Sequence, residues 1–318
     1  MATADGECHP DPLRVAAFST CPSGLWHHRI APLLAAPDMV MLNIGANKGY
    51  NLVEFLQRYS AAPSNLTHAH WYRQLMRFGC EAQCCGVCAS CKMQPIPQQA
   101  NSRIQLHAFE LQASNAALLR RMTRGLPVVV HSTGVSNASG FVYTSENVKA
   151  GSESFGILHT RRHRTGAHPS GAARPVTTID AWMDSHQVPR AHFASIDTEG
   201  EDPLVLFGME RTLSARRIDV LEVEYNRKWK AVLRDPRPLR PVIDWLHGRG
   251  YTCFWQGNKG ALAQLSGRCY REETRNRFGF ARSNFVCTHR SDLVEALRTC
   301  QRAPLCKPRA PPATLQTL

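Results

Sequence analysis

Short apolar runs alternate with segments of helical spacing along most of the chain. Met39 to Ile44 (MVMLNI) is one such run, and it ends in Gly-Ala-Asn-Lys-Gly. Over Tyr50 to Tyr59 the apolar residues Leu52, Val53, Phe55, Leu56 and Tyr59 then recur every three or four positions. The pattern predicts strand, tight turn, helix. The rhythm breaks over 60–102, which is rich in Pro, Asn, Gln, His and Cys and reads as an insertion. It resumes with an alternating strand at Ile104 to Glu110, a helix at Ala113 to Met122 and a strand at Val128 to Val130. Asn-Ala-Ser-Gly at 137–140 predicts a hairpin. A long polar loop fills 144–173, a length usual for a binding loop, a lid or disorder.

The second half repeats the alternation. Val176 to Ile179 leads into a short helix at Asp180 to Ser185. Phe193 to Asp197 reads as strand, Leu204 to Leu213 as helix, Asp219 to Glu224 as strand and Pro241 to Arg249 as helix. Strands at Tyr251 to Trp255 and Asn284 to Cys287 and a helix at Asp292 to Cys300 close the domain, followed by a Pro-rich tail from Ala303. Strands alternating with helices predict an α/β fold with a doubly wound, mostly parallel sheet. Ligands of such sheets sit beyond the carboxyl ends of the strands. The residues that end each strand are therefore the candidates for chemistry.

The first strand ends at Asn43-Ile44-Gly45-Ala46-Asn47-Lys48-Gly49. Its glycines allow a tight turn and close backbone approach to a ligand, and the helix start offers free N–H groups. The spacing is not that of a phosphate-cradling P-loop, and the third glycine of the dinucleotide fingerprint is missing. The second strand ends at Glu110, where a carboxylate can accept both hydroxyls of a ribose. Asp197 and Glu199 lie at the end of a later strand, and Glu224 ends the next. Against these roles stand plainer ones: a helix cap for Glu199 and solvated acids for the rest.

Composition adds limits. With 43% hydrophobic and 20% charged residues in a chain of 318, a sizeable core is expected, as two domains or one large α/β domain with insertions. No stretch approaches the roughly 18 apolar residues of a membrane span. Early acids and no apolar run near Met1 match neither a signal nor a transit peptide, so a cytoplasmic protein is expected. The net charge of +13 favours anionic partners, yet it is dispersed, and its densest run, Arg161 to Arg164, lies in a Gly/Ser/His-rich stretch without aromatics. A nucleic-acid groove is not indicated.

Twelve cysteines are many, and five lie close together: Cys80, Cys84, Cys85, Cys88 and Cys91. Cys84, Cys85, Cys88 and Cys91 give overlapping Cys-x2-Cys spacings that suit a structural zinc. The second knuckle of a zinc ribbon is missing, so reduced thiols and disulfides stand beside the metal reading.

In order, MLNIGANKGY, LHAFELQASNAALL, HSTGVSNASG, PVTTIDAWMD, ASIDTEGEDPLVLFGMERTL and VLEVEYN resemble the FkbM family of S-adenosylmethionine-dependent methyltransferases, over roughly residues 39–226. The resemblance implies a class I, Rossmann-like methyltransferase domain over 39–290, with a Cys-rich insertion at 60–102. It leaves an N-terminal extension at 1–38 and a C-terminal helix and tail at 291–318. It implies S-adenosyl-L-methionine as cofactor, held at Gly45, Ala46, Asn47 and Gly49, with Glu110 on the ribose and Thr133 and Gly134 near the adenine. Asp197 would close the pocket near the methyl group, with Glu199 and Glu224 as further candidates for catalysis. The acceptor implied is a hydroxyl of a small-molecule or carbohydrate-like compound, and oxygen as the target rests on the resemblance alone. Two departures stand out: Asn43 where the family usually has Asp, and Ser195 where it usually has Lys. Asn43 cannot neutralise the cofactor's ammonium, which keeps a non-catalytic relative in view as an alternative. A nucleic-acid methyltransferase is the other alternative, and the Asn/Asp-Pro-Pro-Tyr/Phe type of motif used on base amino groups is absent.

Overall fold

The computed structural model describes residues 24–61, 65–85, 98, 100–146, 148–153, 171–257, 260–270 and 283–302. The basic run at 161–164 and the Pro-rich tail lie outside the described residues. In chain order the elements are α1 (His27–Leu34), β1 (Asp38–Ile44), α2 (Tyr50–Tyr59), α3 (His68–Arg77), β2 (Arg103–Phe109), α4 (Ala113–Met122), β3 (Val128–His131), β4 (Gly134–Val135), β5 (Gly140–Thr144) and β6 (Ala172–Thr177). They continue with α5 (Ile179–Ser185), β7 (Ala191–Ile196), α6 (Asp202–Phe207), α7 (Glu210–Ser214), β8 (Ile218–Tyr225), α8 (Trp229–Leu233), α9 (Leu239–Gly248), β9 (Thr252–Gln256), β10 (Leu262–Gln264), β11 (Ser283–Thr288) and α10 (Ser291–Arg302).

Eight strands form one sheet in the order β10-β9-β11-β8-β7-β1-β2-β3. β8, β7, β1, β2 and β3 pair in parallel. β11 enters antiparallel between β8 and β9, and β10 adds an antiparallel edge. This is the expected doubly wound sheet of the class I methyltransferase type. Successive residues of β1 serve opposite faces, as the twofold period of a strand requires. Leu42 and Ile44 join one buried cluster with Ile196, Leu206 and Phe285, whereas Met39 and Met41 join the other with Leu52, Phe55 and Phe193. Two covered faces explain why β1 reads as a continuous apolar run rather than an alternating one.

Several expectations need correction. The 60–102 segment contains α3, capped by the Thr67 side chain accepting from the His70 N–H. Trp71 and Leu75 of α3 lie in the core, so this part is no appendage. The polar remainder of that helix masked its period. The N-terminal extension likewise contributes: Trp26, Ile30 and Leu34 are fully buried. No β-hairpin forms around 137–140, because β4 and β5 both pair with β6, one parallel and one antiparallel. The helix expected over 204–213 is two short ones, α6 and α7. A Cβ on Gly208 between them would overlap the Ser136 carbonyl oxygen, so the close approach of the β4–β5 connection requires glycine there.

Candidate active site

The β1 turn is built by backbone contacts with its neighbours. The N–H groups of Gly45 and Ala46 both donate to the Phe109 carbonyl at the end of β2, at 3.0 and 2.9 Å. Gly45 has φ +83, and a Cβ there would overlap the Asp197 carbonyl oxygen at the end of β7. The three strand ends therefore meet without room for a side chain. Asn47 takes φ +46, a left-handed conformation that asparagine tolerates better than most residues, and Gly49 follows at φ +82. Asn47 thus occupies a position where a glycine would be at ease. From below, Trp71 Nε1 donates to the Lys48 carbonyl at 2.7 Å.

Glu110 sits at the hinge of this turn. One carboxylate oxygen accepts from the Asn47 N–H at 2.8 Å, the other from the Gln112 N–H at 2.8 Å. The side chain is 3% exposed. Burial pushes its carboxyl up to about 7, and the donors from Gln112, Asn47 and Asn115 oppose the shift. Asn43 is 1% exposed, and its Nδ2 has no hydrogen-bond partner among the described residues; the same is true of Asn47 Oδ1. Burial of a polar atom without a partner costs about 1–3 kcal/mol.

The β7 turn, Thr198-Glu199-Gly200, is folded around an acid that sequence reasoning passed over. Asp202 is fully buried and accepts from the Thr198 N–H at 2.7 Å, the Thr198 hydroxyl at 2.9 Å, the Gly200 N–H at 3.2 Å and Trp229 Nε1 at 3.0 Å. Burial raises its carboxyl to about 6 against the pull of these donors. Glu199, at φ +58, does not cap α6; it pairs with Lys228 Nζ at 2.7 Å. Asp197 is exposed at the strand end, its N–H bound to the Ile44 carbonyl at 2.9 Å. Glu224 is 8% exposed and accepts from Asn226 Nδ2 at 2.6 Å, while Asn226 Oδ1 receives the Lys228 N–H at 2.9 Å. Asp197, Glu199 and Glu224 thus line one rim with Asn226 and Lys228. The signal for Asp202 was present in the run T-E-G-E-D, but an acid in a helix's first turn reads equally as a dipole partner.

Thr133 and Gly134 stand apart from this rim. The Thr133 hydroxyl donates to the Pro175 carbonyl at 3.0 Å, and Gly134 opens β4. Leu111, the residue after Glu110, fills the space where a Cβ of Gly134 would stand. They border the β2 turn on its far side.

The cysteine reading is corrected. Cys84 is bonded to Cys80, and Cys85 is also in a disulfide, so neither offers a thiolate to zinc. Cys88 and Cys91 lie outside the described residues. Among the described residues no group of three or more His, Cys, Asp or Glu side chains is placed to hold a metal, and no cysteine is free. Cys253 and Cys287, opposite each other on β9 and β11, form a second bond. Among those residues, too, no helix is long and apolar enough to cross a membrane.

The mostly parallel sheet, in which β11 and β10 run antiparallel, with glycines at the first strand end and an acid at the second, is consistent with a Rossmann-like methyltransferase fold. The model of the family described as Methyltransferase FkbM domain matches residues 27–253. The chain belongs to the FkbM methyltransferase family. A solved structure of methyltransferase FkbM from Methylobacillus flagellatus KT is similar at 11% identity and a TM-score of 0.42, covering 84% of this chain and 48% of that one. This chain therefore spans about half the length of that structure. Protein LPL1258 from Legionella pneumophila is similar at 10% identity and a TM-score of 0.35, over 89% of this chain and 91% of that one. A comparison with curated proteins gives no match.

Proposed function

We propose that the strand-end cleft binds S-adenosyl-L-methionine and that the enzyme transfers its methyl group to a hydroxyl oxygen of a small-molecule or carbohydrate-like acceptor. One observation carries the reading: the unpaired Asn43 Nδ2 and Asn47 Oδ1 belong to residues just before and within the Gly45–Gly49 turn, whose backbone the Glu110 carboxylate binds at the Asn47 N–H. That set fits the cofactor. In this reading Glu110 takes the ribose diol, the turn at Gly45 to Gly49 allows close backbone approach, and the Asn43 amide serves the methionine portion.

The cofactor supplies a methyl group already activated as a sulfonium. The chain's tasks are to hold an acceptor in line and to keep water out. Asp197 at the end of β7 is the acid best placed to accept a proton from an acceptor hydroxyl, being exposed where β1 and β7 meet. Glu199 and Glu224 are committed to Lys228 and Asn226, which suits them to shaping the acceptor side. Nucleic acid is not the expected acceptor, because the positive charge is dispersed along the sequence and its densest run, Arg161 to Arg164, has no aromatic neighbours. The paired cysteines support an oxidising compartment in place of the cytoplasm expected from sequence, since such bonds are rare where glutathione keeps thiols reduced.

Transfer of a labelled methyl group to a panel of hydroxylated acceptors tests the reading. An ether-linked label, stable to mild base, is expected, with Asp197→Asn lowering kcat by about 10²–10⁴-fold, the range of general base catalysis. Label released by mild base, or recovered on nitrogen, would exclude the hydroxyl acceptor.

A further inference from the structure

Residues 148–153 cross in front of the β1 turn and are fastened from three sides. At the start of α4, Asn115 Oδ1 accepts from the Gly151 N–H at 2.8 Å, and its Nδ2 donates to the Ser152 carbonyl at 3.4 Å. From the β1 turn, Lys48 Nζ donates to the Gly151 carbonyl at 3.1 Å and forms an ion pair with Glu153. From behind, the Ala150 carbonyl accepts both the Glu81 and Ala82 N–H groups, at 2.9 and 3.1 Å, from the loop closed by Cys80 and Cys84. A Cβ on Gly151 would overlap Cys80 Sγ and the Ala82 carbonyl oxygen, and Gly151 has φ +92. Glycine alone fits between that loop and the turn.

Two facts make this more than packing. Lys48 is 2% exposed and the Glu153 side chain 16%, so the pair is largely out of water and its loss would strand a buried charge. Glu110, the group a ribose must reach in that reading, is 3% exposed, and the turn it binds at the Asn47 N–H carries Lys48, which holds the strap. A ribose cannot meet Glu110 without displacing neighbours, and the segment, held by the Asn115 and Lys48 side chains and by only two backbone bonds at Ala150, is easier to displace than the sheet.

We propose that residues 148–153 are a strap over the cofactor cleft, latched by the Lys48–Glu153 pair, which opens to let the cofactor exchange. The inference rests on the methyl-donor reading above. It gives Lys48, a turn residue with no role in that reading, a task in timing cofactor entry and release.

The test uses the full chain, with S-adenosyl-L-homocysteine as probe. Amide hydrogen exchange without probe should run about tenfold faster at 148–153 in Glu153→Gln, the scale of one lost charge-assisted hydrogen bond, with β8 unchanged. Rapid-mixing measurements should show association and dissociation of the probe both accelerated several-fold. The double variant Lys48→Met with Glu153→Gln, which strands no charge, should behave alike and guards against misfolding of the single variant. Equal exchange at 148–153 in the wild type and both variants would overturn the latch. Faster exchange with unaltered probe kinetics would overturn the strap as a cover. A wild type that binds no probe would instead overturn the methyl-donor reading, and this inference with it.

Discussion

Glu110 is the residue on which opposing forces are most evenly set. Two backbone donors favour its carboxylate, while near-complete burial favours the acid and prevails, bringing the carboxyl up to about 7. The native protein then binds this proton more tightly than the unfolded chain does. Between the unfolded value near 4.5 and about 7, Glu110 therefore lowers stability as pH rises. Cofactor affinity should move the other way. A ribose diol needs a carboxylate acceptor, so affinity should fall about tenfold per pH unit below 7 and level off above it. Glu110→Gln should abolish that slope; calorimetric titrations from pH 5.5 to 8.5 check both statements. An unaltered slope in the variant would assign the titration elsewhere. The places of Gly45 and Glu110 just past strand ends were legible in the sequence, because each follows an apolar run. Asp202 was not, because its four donors come from Thr198, Gly200 and Trp229, and only folding brings Trp229 to it.

At the scale of elements, α3 shows how composition misleads. Its sequence, HAHWYRQLMR, is mostly polar, yet Trp71 is 1% exposed and holds the Lys48 carbonyl beneath the β1 turn. The surrounding Pro, Gln and Cys make 60–102 read as an insertion, and an insertion alone could be deleted without touching the β1 turn. The structure predicts the reverse: removing the segment takes away the floor of the turn. Trp71→Phe deletes one buried hydrogen bond and should cost about 1–3 kcal/mol in urea unfolding, with weaker probe binding. Unchanged stability and binding would show the contact to be incidental. The neighbouring cysteines make a sharper case. Non-reducing peptide mapping should recover Cys80 joined to Cys84 and Cys253 joined to Cys287. Ready alkylation of Cys84 without reductant, or zinc released with it, would restore the thiol or metal reading.

For the whole molecule, the α/β class and the doubly wound, mostly parallel sheet follow from the alternation of apolar runs and helical spacing, and these were legible between Met39 and Cys300 outside the 60–102 segment. What escaped were contacts closed by distant segments: the three-stranded β4-β6-β5 sheet, the strap at 148–153 and the packing of Trp26 beneath β7. None of these leaves a periodic trace, because each joins residues far apart in the chain. The account as a whole stands on the strand-end cleft being a methyl-donor site. Calorimetric titration with S-adenosyl-L-homocysteine tests that most directly. One site per chain is predicted, with affinity weakened about ten- to a hundredfold in a folded Glu110→Ala variant, the loss of a charge-assisted hydrogen bond. No heat from the folded wild type at millimolar concentration, or equal affinity in the variant, would contradict it.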